Sequence, residues 1–168
     1  MYDTTPYIEL HCHSYFSLLE GASSPEALVE RAAALGCPAL ALTDVNGLYG
    51  AIRFWRAARA RGIRPIIGAE VVLAEGRLTL LAETQAGYAN LCRLLSAGHL
   101  AGDERPLPDG PTQERCLGLA LEDLAPYTEG LLCLSGDRQG AVAAALAAGQ
   151  YTRAREISAA LSALWPGG

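Results

Sequence analysis

The chain has 168 residues, 51% of them apolar and 18% charged, which suits one domain with its own core and argues against disorder. A formal net charge of −5 excludes a self-sufficient nucleic-acid binder, because contact with phosphate would need a local basic patch or a partner carrying one. No apolar run of about 18 residues occurs, and "MYDTTPYIEL" lacks the basic start and apolar stretch of a signal peptide, so a cytoplasmic protein without membrane contact is expected.

In chain order, "YIELHC" from Tyr7 reads as a strand. It is followed by a polar turn and the helix "SSPEALVERAAALG", where a serine can cap, Pro25 suits the first turn, Glu26 favours the positive end and Gly36 terminates. "PALALTD" is an apolar strand, "NGLYG" a turn, and "AIRFWRAARARG" a helix closed by Gly62. "RPIIGAEVVL" and "RLTLLAE" are strands joined through a tight "AEG" turn. "QAGYANLCRLLSAGHL" is helical, with Tyr88, Leu91, Leu94 and Leu95 on one face. The Pro-, Gly- and charge-rich stretch from Ala101 to Gln113 reads as a long exposed loop. "LALEDLAPY" is a short helix and "GLLCLSG" a buried strand; "RQGAVAAALAAG" and "YTRAREISAALSALW" are helices parted by Gly149.

Apolar strands alternating with amphipathic helices predict an α/β fold, a mainly parallel sheet with helices outside it, open or part of a barrel. Polar groups should then gather where strands end: His11 and His13 after the first, Thr43 and Asp44 after the second, Glu70 in the third, Ser135 to Asp137 after the last.

Histidines at i and i+2 on extended chain point to one side, so His11 and His13 can reach a single cation. The carboxylates of Glu20, Asp44 and Glu70 would add oxygen ligands, and such a cluster could lower the pKa of bound water and hold a phosphoester for attack. Each residue also has a plainer reading. A histidine near a strand end can be an ordinary surface or core residue, Asp44 a loop-fixing acceptor, Glu20 a solvated side chain, and Asp137 a helix cap. Glu70 is the exception, since an acidic residue between apolar runs needs a partner if buried. Cys12 should face away from the histidines, and it and the scattered Cys37, Cys92, Cys116 and Cys133 read as small hydrophobes. Arg53, Arg56 and Arg59 share one helix face, either solvated or a surface for nucleic acid or an acidic partner.

These residues resemble the PHP (polymerase and histidinol phosphatase) domain that opens the alpha subunit of bacterial C-family DNA polymerases, closest to the error-prone branch. The likeness is carried by "YIELHCHSYFSLLEGASSPEALVERAAALGCPALALTD", "NGLYGAIRFWRAARARGIRPIIGAEVVL", "LTLLAETQAGYANLCRLLSAGHL" and "LLCLSGDRQGAVAAALAAG", in the family's order. It implies a partial, distorted (β/α)7 barrel over residues 1–168 as a single domain, its last portion missing and with no polymerase catalytic region. It also implies a divalent metal, Zn or Mn, held by His11, His13, Glu20 and Glu70, with Asp44 and Asp137 as further candidates.

Against the family pattern, Glu20 stands for aspartate, Val45 and Arg77 for histidines, and Asp137 for a frequent cysteine. The set implied is therefore depleted. The reading that follows is a degenerate structural module in replication or repair synthesis, with metal weakly bound or absent. Its expected partners are other polymerase domains or replication subunits, DNA only indirectly, and a second copy through self-association. The alternative is a metal-dependent phosphoesterase or a 3′–5′ exonuclease acting on DNA ends.

Overall fold

The computed structural model describes residues 6–101 and 116–166. The loop expected from Ala101 to Gln113 lies, beyond its first residue, outside them. The chain forms two compact units, Met1–Ala69 and Glu70–Gly168.

The first unit contains helix α1 (Pro25–Ala34), strand β1 (Ala39–Leu42) and helix α2 (Ala51–Ala60), and strand β2 (Arg64–Leu73) begins in it. α1 starts where the residues dictate: the Ser24 side chain accepts from the Ala27 amide, and Pro25 opens the helix, where a missing N–H costs nothing. Gly36 and Gly62 take φ of 72° and 70°, the left-handed conformation that ends each helix. One face of each helix meets the strand in a core of Val29, Ala32, Leu40, Leu42, Phe54, Ala58 and Ile63. β1 and β2 pair in parallel, Ala39 opposite Arg64 and Leu42 opposite Ile67.

The second unit continues from β2 into strand β3 (Gly76–Ala82), helix α3 (Gln85–Leu100), a 3-10 turn over Leu121–Tyr127, strand β4 (Leu131–Leu134), and helices α4 (Ala141–Ala147) and α5 (Tyr151–Leu164). α3 is capped by Thr84, which accepts from the Gly87 amide, and it buries Leu91, Leu94 and Leu95 as its periodicity predicts. Tyr88 stays partly exposed, and Asn90 is buried in its stead, its amide donating to the Glu129 carbonyl at 2.9 Å. Gly87 is needed there, because a Cβ would run into the Gly130 carbonyl. β3 and β4 pair antiparallel, Thr79 opposite Leu134.

Two expectations are corrected. "YIELHC" is not a strand: it contributes one parallel bridge, Glu9 to Leu40. The sheet, ordered β1-β2-β3-β4, is mixed instead of mainly parallel. Only Ala74 and Glu75 separate β2 from β3, and a parallel crossover needs about a dozen residues or more. The α/β class stands.

Candidate metal centre

Residues 9 to 13 lie along β1 and are fastened to its end. The Ala41 amide donates to the Glu9 carbonyl and the Thr43 amide to the Cys12 carbonyl, both at 2.9 Å. The buried Thr43 hydroxyl accepts from the Cys12 amide at 2.9 Å and reaches back to the Cys12 carbonyl at 3.2 Å. Held extended, the segment alternates. His11 and His13 share a side, with ring centroids 4.9 Å apart and planes at 89°. Cys12 turns the other way, onto the core of Val29, Leu40 and Phe54. Burial, with the Glu9 and Asp44 carboxylates adding to it, pushes its thiol up to about 11, so it is protonated at neutral pH and offers no thiolate to a metal.

Asp44 is 2% exposed, and its carboxylate is fully engaged in shaping the turn after His13. Oδ1 accepts from the Ser14 amide and the Ser17 hydroxyl, both at 2.7 Å, and Oδ2 accepts from the Ser14 hydroxyl at 2.8 Å. The Ser17 hydroxyl also accepts from the Val45 amide at 3.0 Å, tying the turn to the end of β1. The loop-fixing reading of Asp44 thus describes it better than the ligand reading. Ser14 and Ser17, 0% and 2% exposed, went unremarked in the sequence because serines in a polar turn give no sign of burial.

Glu20 places a carboxylate oxygen 3.5 Å from His13 Nδ1. A carboxylate there is placed to orient the His13 ring. Asp137 is exposed and accepts from the Gln139 amide at 2.7 Å, fixing the loop ahead of α4. Of the arginines on α2, Arg53 grips both oxygens of Glu26, at 2.7 and 3.0 Å, and donates to the Tyr15 hydroxyl, while Arg59 lies 5.6 Å from the centre of the Trp55 ring. That face is at least partly spent on intramolecular contacts. Arg56 is exposed.

Glu70 on β2 is 2% exposed, and the partner that burial demands is Arg77 on β3, 3% exposed, whose Nη1 donates to Oε1. The short β2–β3 connection brings the two together, and the Arg77 backbone is itself pinned, its amide donating to the Gln139 carbonyl at 3.3 Å. Of the residues singled out as ligands, His11 and His13 lie side by side in the first unit, and Glu70 opens the second.

Two imidazoles and a carboxylate are the donor types that suit Zn or Mn. The charge does not fit. One oxygen of Glu70 already holds a guanidinium, a cation at every pH at which a fold survives. Val45, next to Asp44, has no side-chain atom that could ligate. The set matches a metal in donor type, not in charge or in number. In the sequence Glu70 is a buried acidic residue in need of a partner, and the resemblance puts Arg77 where a ligand histidine is expected; that the two pair with each other is what the structure adds.

A family model for the PHP domain matches residues 9–167. Error-prone DNA polymerase of Symbiobacterium thermophilum is 42% identical over 168 residues, covering 96% of this chain and 16% of that protein. Error-prone DNA polymerase of Anaeromyxobacter dehalogenans (strain 2CP-C) is 44% identical over 147 residues, covering 83% of this chain and 13% of the relative. The chain therefore spans less than a fifth of the length of these relatives. Among solved structures, one described as a metal-dependent phosphoesterase of Bifidobacterium adolescentis superposes with a TM-score of 0.47 at 21% identity, over 95% of this chain and 56% of that one. With a family match over nearly its whole length and relatives above 40% identity, the chain belongs to the PHP domain family.

Proposed function

We propose that the chain acts as a non-catalytic PHP module of an error-prone DNA polymerase type of protein, serving replication or repair synthesis by supporting other polymerase domains. The buried Glu70–Arg77 ion pair is the observation that carries this reading: the acidic ligand of the metal position is neutralised from within, so a hydrolytic cluster lacks the charge to bind ions firmly. The relatives' name supports the setting in DNA synthesis.

A divalent ion, Zn or Mn, would be held only weakly, with His11, His13 and Glu70 as its ligands and Glu20 steadying His13. When bound, it would supply a polarised water. The residues themselves contribute two imidazoles, the Glu70 carboxylate and the Asp44-braced turn that fixes His13.

The experiment is turnover of single-stranded DNA and of a chromogenic phosphoester by the purified chain in Mn²⁺ or Zn²⁺. Hydrolysis at the no-enzyme background is expected. Robust metal-dependent turnover that vanishes in His11→Ala would establish the phosphoesterase or exonuclease reading, which the donor types of His11, His13 and Glu70 favour.

A further inference from the structure

A carboxylate with 2% exposure is not stable as a lone charge; it requires a cation in contact. In a metal cluster the ion fulfils that need, and removing the ion leaves the acidic ligand stranded, which couples metal to folding. Glu70 faces no such dependence. Arg77 reaches it from the adjacent strand of the same hairpin and is 3% exposed. Its backbone is held as well, by the parallel bridge to Gly140, of which the hydrogen bond from its amide to the Gln139 carbonyl is a part. The guanidinium is thus anchored at its base and committed at its tip, and it is not a side chain that swings aside cheaply. Lysine or a protonated histidine could release a proton as an ion arrives; arginine cannot.

We infer that Arg77 is a built-in replacement for the metal ion: it supplies permanently the positive charge that Glu70 needs, making this rim stable without metal and opposing any divalent ion that approaches it. The inference rests on the reading of this rim as the PHP metal position. It adds that the loss of metal is compensated inside the fold, by one residue, in place of being tolerated as a defect.

The test uses the full chain, with Mn²⁺ as probe because free cysteines bind it poorly. For the parent, the thermal midpoint is expected to be the same in EDTA as in millimolar Mn²⁺. Arg77→His, which removes the fixed charge and adds a ligand, should bind Mn²⁺ about tenfold or more tightly by calorimetry and gain a midpoint that rises with Mn²⁺. A parent midpoint that drops in EDTA, or equal Mn²⁺ affinity in parent and Arg77→His, would overturn the inference.

Should Arg77→His unfold, a second pair of variants decides. Arg77→Met should lower the midpoint, and Arg77→Met with Glu70→Gln should recover part of the loss, since the stranded charge is then gone. Arg77→Met as stable as the parent in EDTA would also refute it. Turnover, the test of the non-catalytic reading, is a separate measurement, so either idea can fail without the other.

Discussion

Asp44 offers the sharpest test of how the histidine segment is held. Its carboxylate takes three hydrogen bonds of 2.7 to 2.8 Å, from one amide and two hydroxyls of Ser14 and Ser17. Bonds to a charged acceptor contribute roughly 1.5–3 kcal/mol each, but burying the carboxylate costs part of that sum, so Asp44→Ala should destabilise by ~3 kcal/mol. The loss comes mainly from donors left stranded, because Ser14 and Ser17 are 0% and 2% exposed and no water replaces the carboxylate easily. Asp44→Asn keeps an oxygen for the Ser14 amide and the Ser17 hydroxyl, and its NH₂ can donate to the Ser14 hydroxyl, so about half the loss, ~1.5 kcal/mol, is expected. Urea unfolding followed by far-UV circular dichroism measures both, provided the slope with denaturant stays constant. Asp44→Ala within about 1 kcal/mol of the parent would refute the account of this carboxylate as the brace of the turn.

Other outcomes follow from packing and charge. Phe54 is 0% exposed at the centre of the first unit's core, so Phe54→Ala should cost about 3–5 kcal/mol in urea unfolding. Gly87→Ala, whose new methyl meets the Gly130 carbonyl, should lower the thermal midpoint or shift the cap of α3, whereas Ala86→Gly at the neighbouring position should cost about 1 kcal/mol or less. Burial pushes Cys12 and Cys133 up to about 11 and about 12, from an ordinary value of 9.0. The folded state therefore holds these protons longer than the unfolded chain. That stability is whole below pH about 9 and lost as pH rises through the raised values, and a urea midpoint plotted against pH should fall less steeply in Cys12→Ala/Cys133→Ala. Arg53 holds the exposed Glu26 carboxyl below its usual range, so what this pair contributes is present at neutral pH and lost as pH falls through the lowered value. Arg53→Ala should lower stability only slightly at low salt, and by less in 1 M NaCl.

Several features were legible in the sequence because they are local. Ser24, Pro25 and Gly36 mark the ends of α1, and the observed helix runs from Pro25 to Ala34. Alternation along "LHCH" placed His11 and His13 on one side and Cys12 on the other, which is how they lie. The apolar spacing of α3 found Leu91, Leu94 and Leu95, though it put Tyr88 where Asn90 is the more deeply buried. Sheet direction was not legible in the same way. An apolar strand pattern is the same whichever way its neighbour runs, and the deciding fact was the short connection between β2 and β3. "YIELHC" had the pattern of a strand, but only Glu9 forms a bridge.

By itself, then, the sequence determined the α/β class, the helix ends, the register of the two histidines and membership of the PHP domain family, all of which rest on spacing along the chain. Only the tertiary structure decided what each carboxylate is for. Asp44 proved to be committed to Ser14 and Ser17, Asp137 to its own loop, Glu20 to the flank of His13, and Glu70 to Arg77. The reason is physical: a carboxylate is the same group in every sequence, and whether it receives an amide, a hydroxyl, a guanidinium or an ion depends on which donors folding brings within about 3 Å of it.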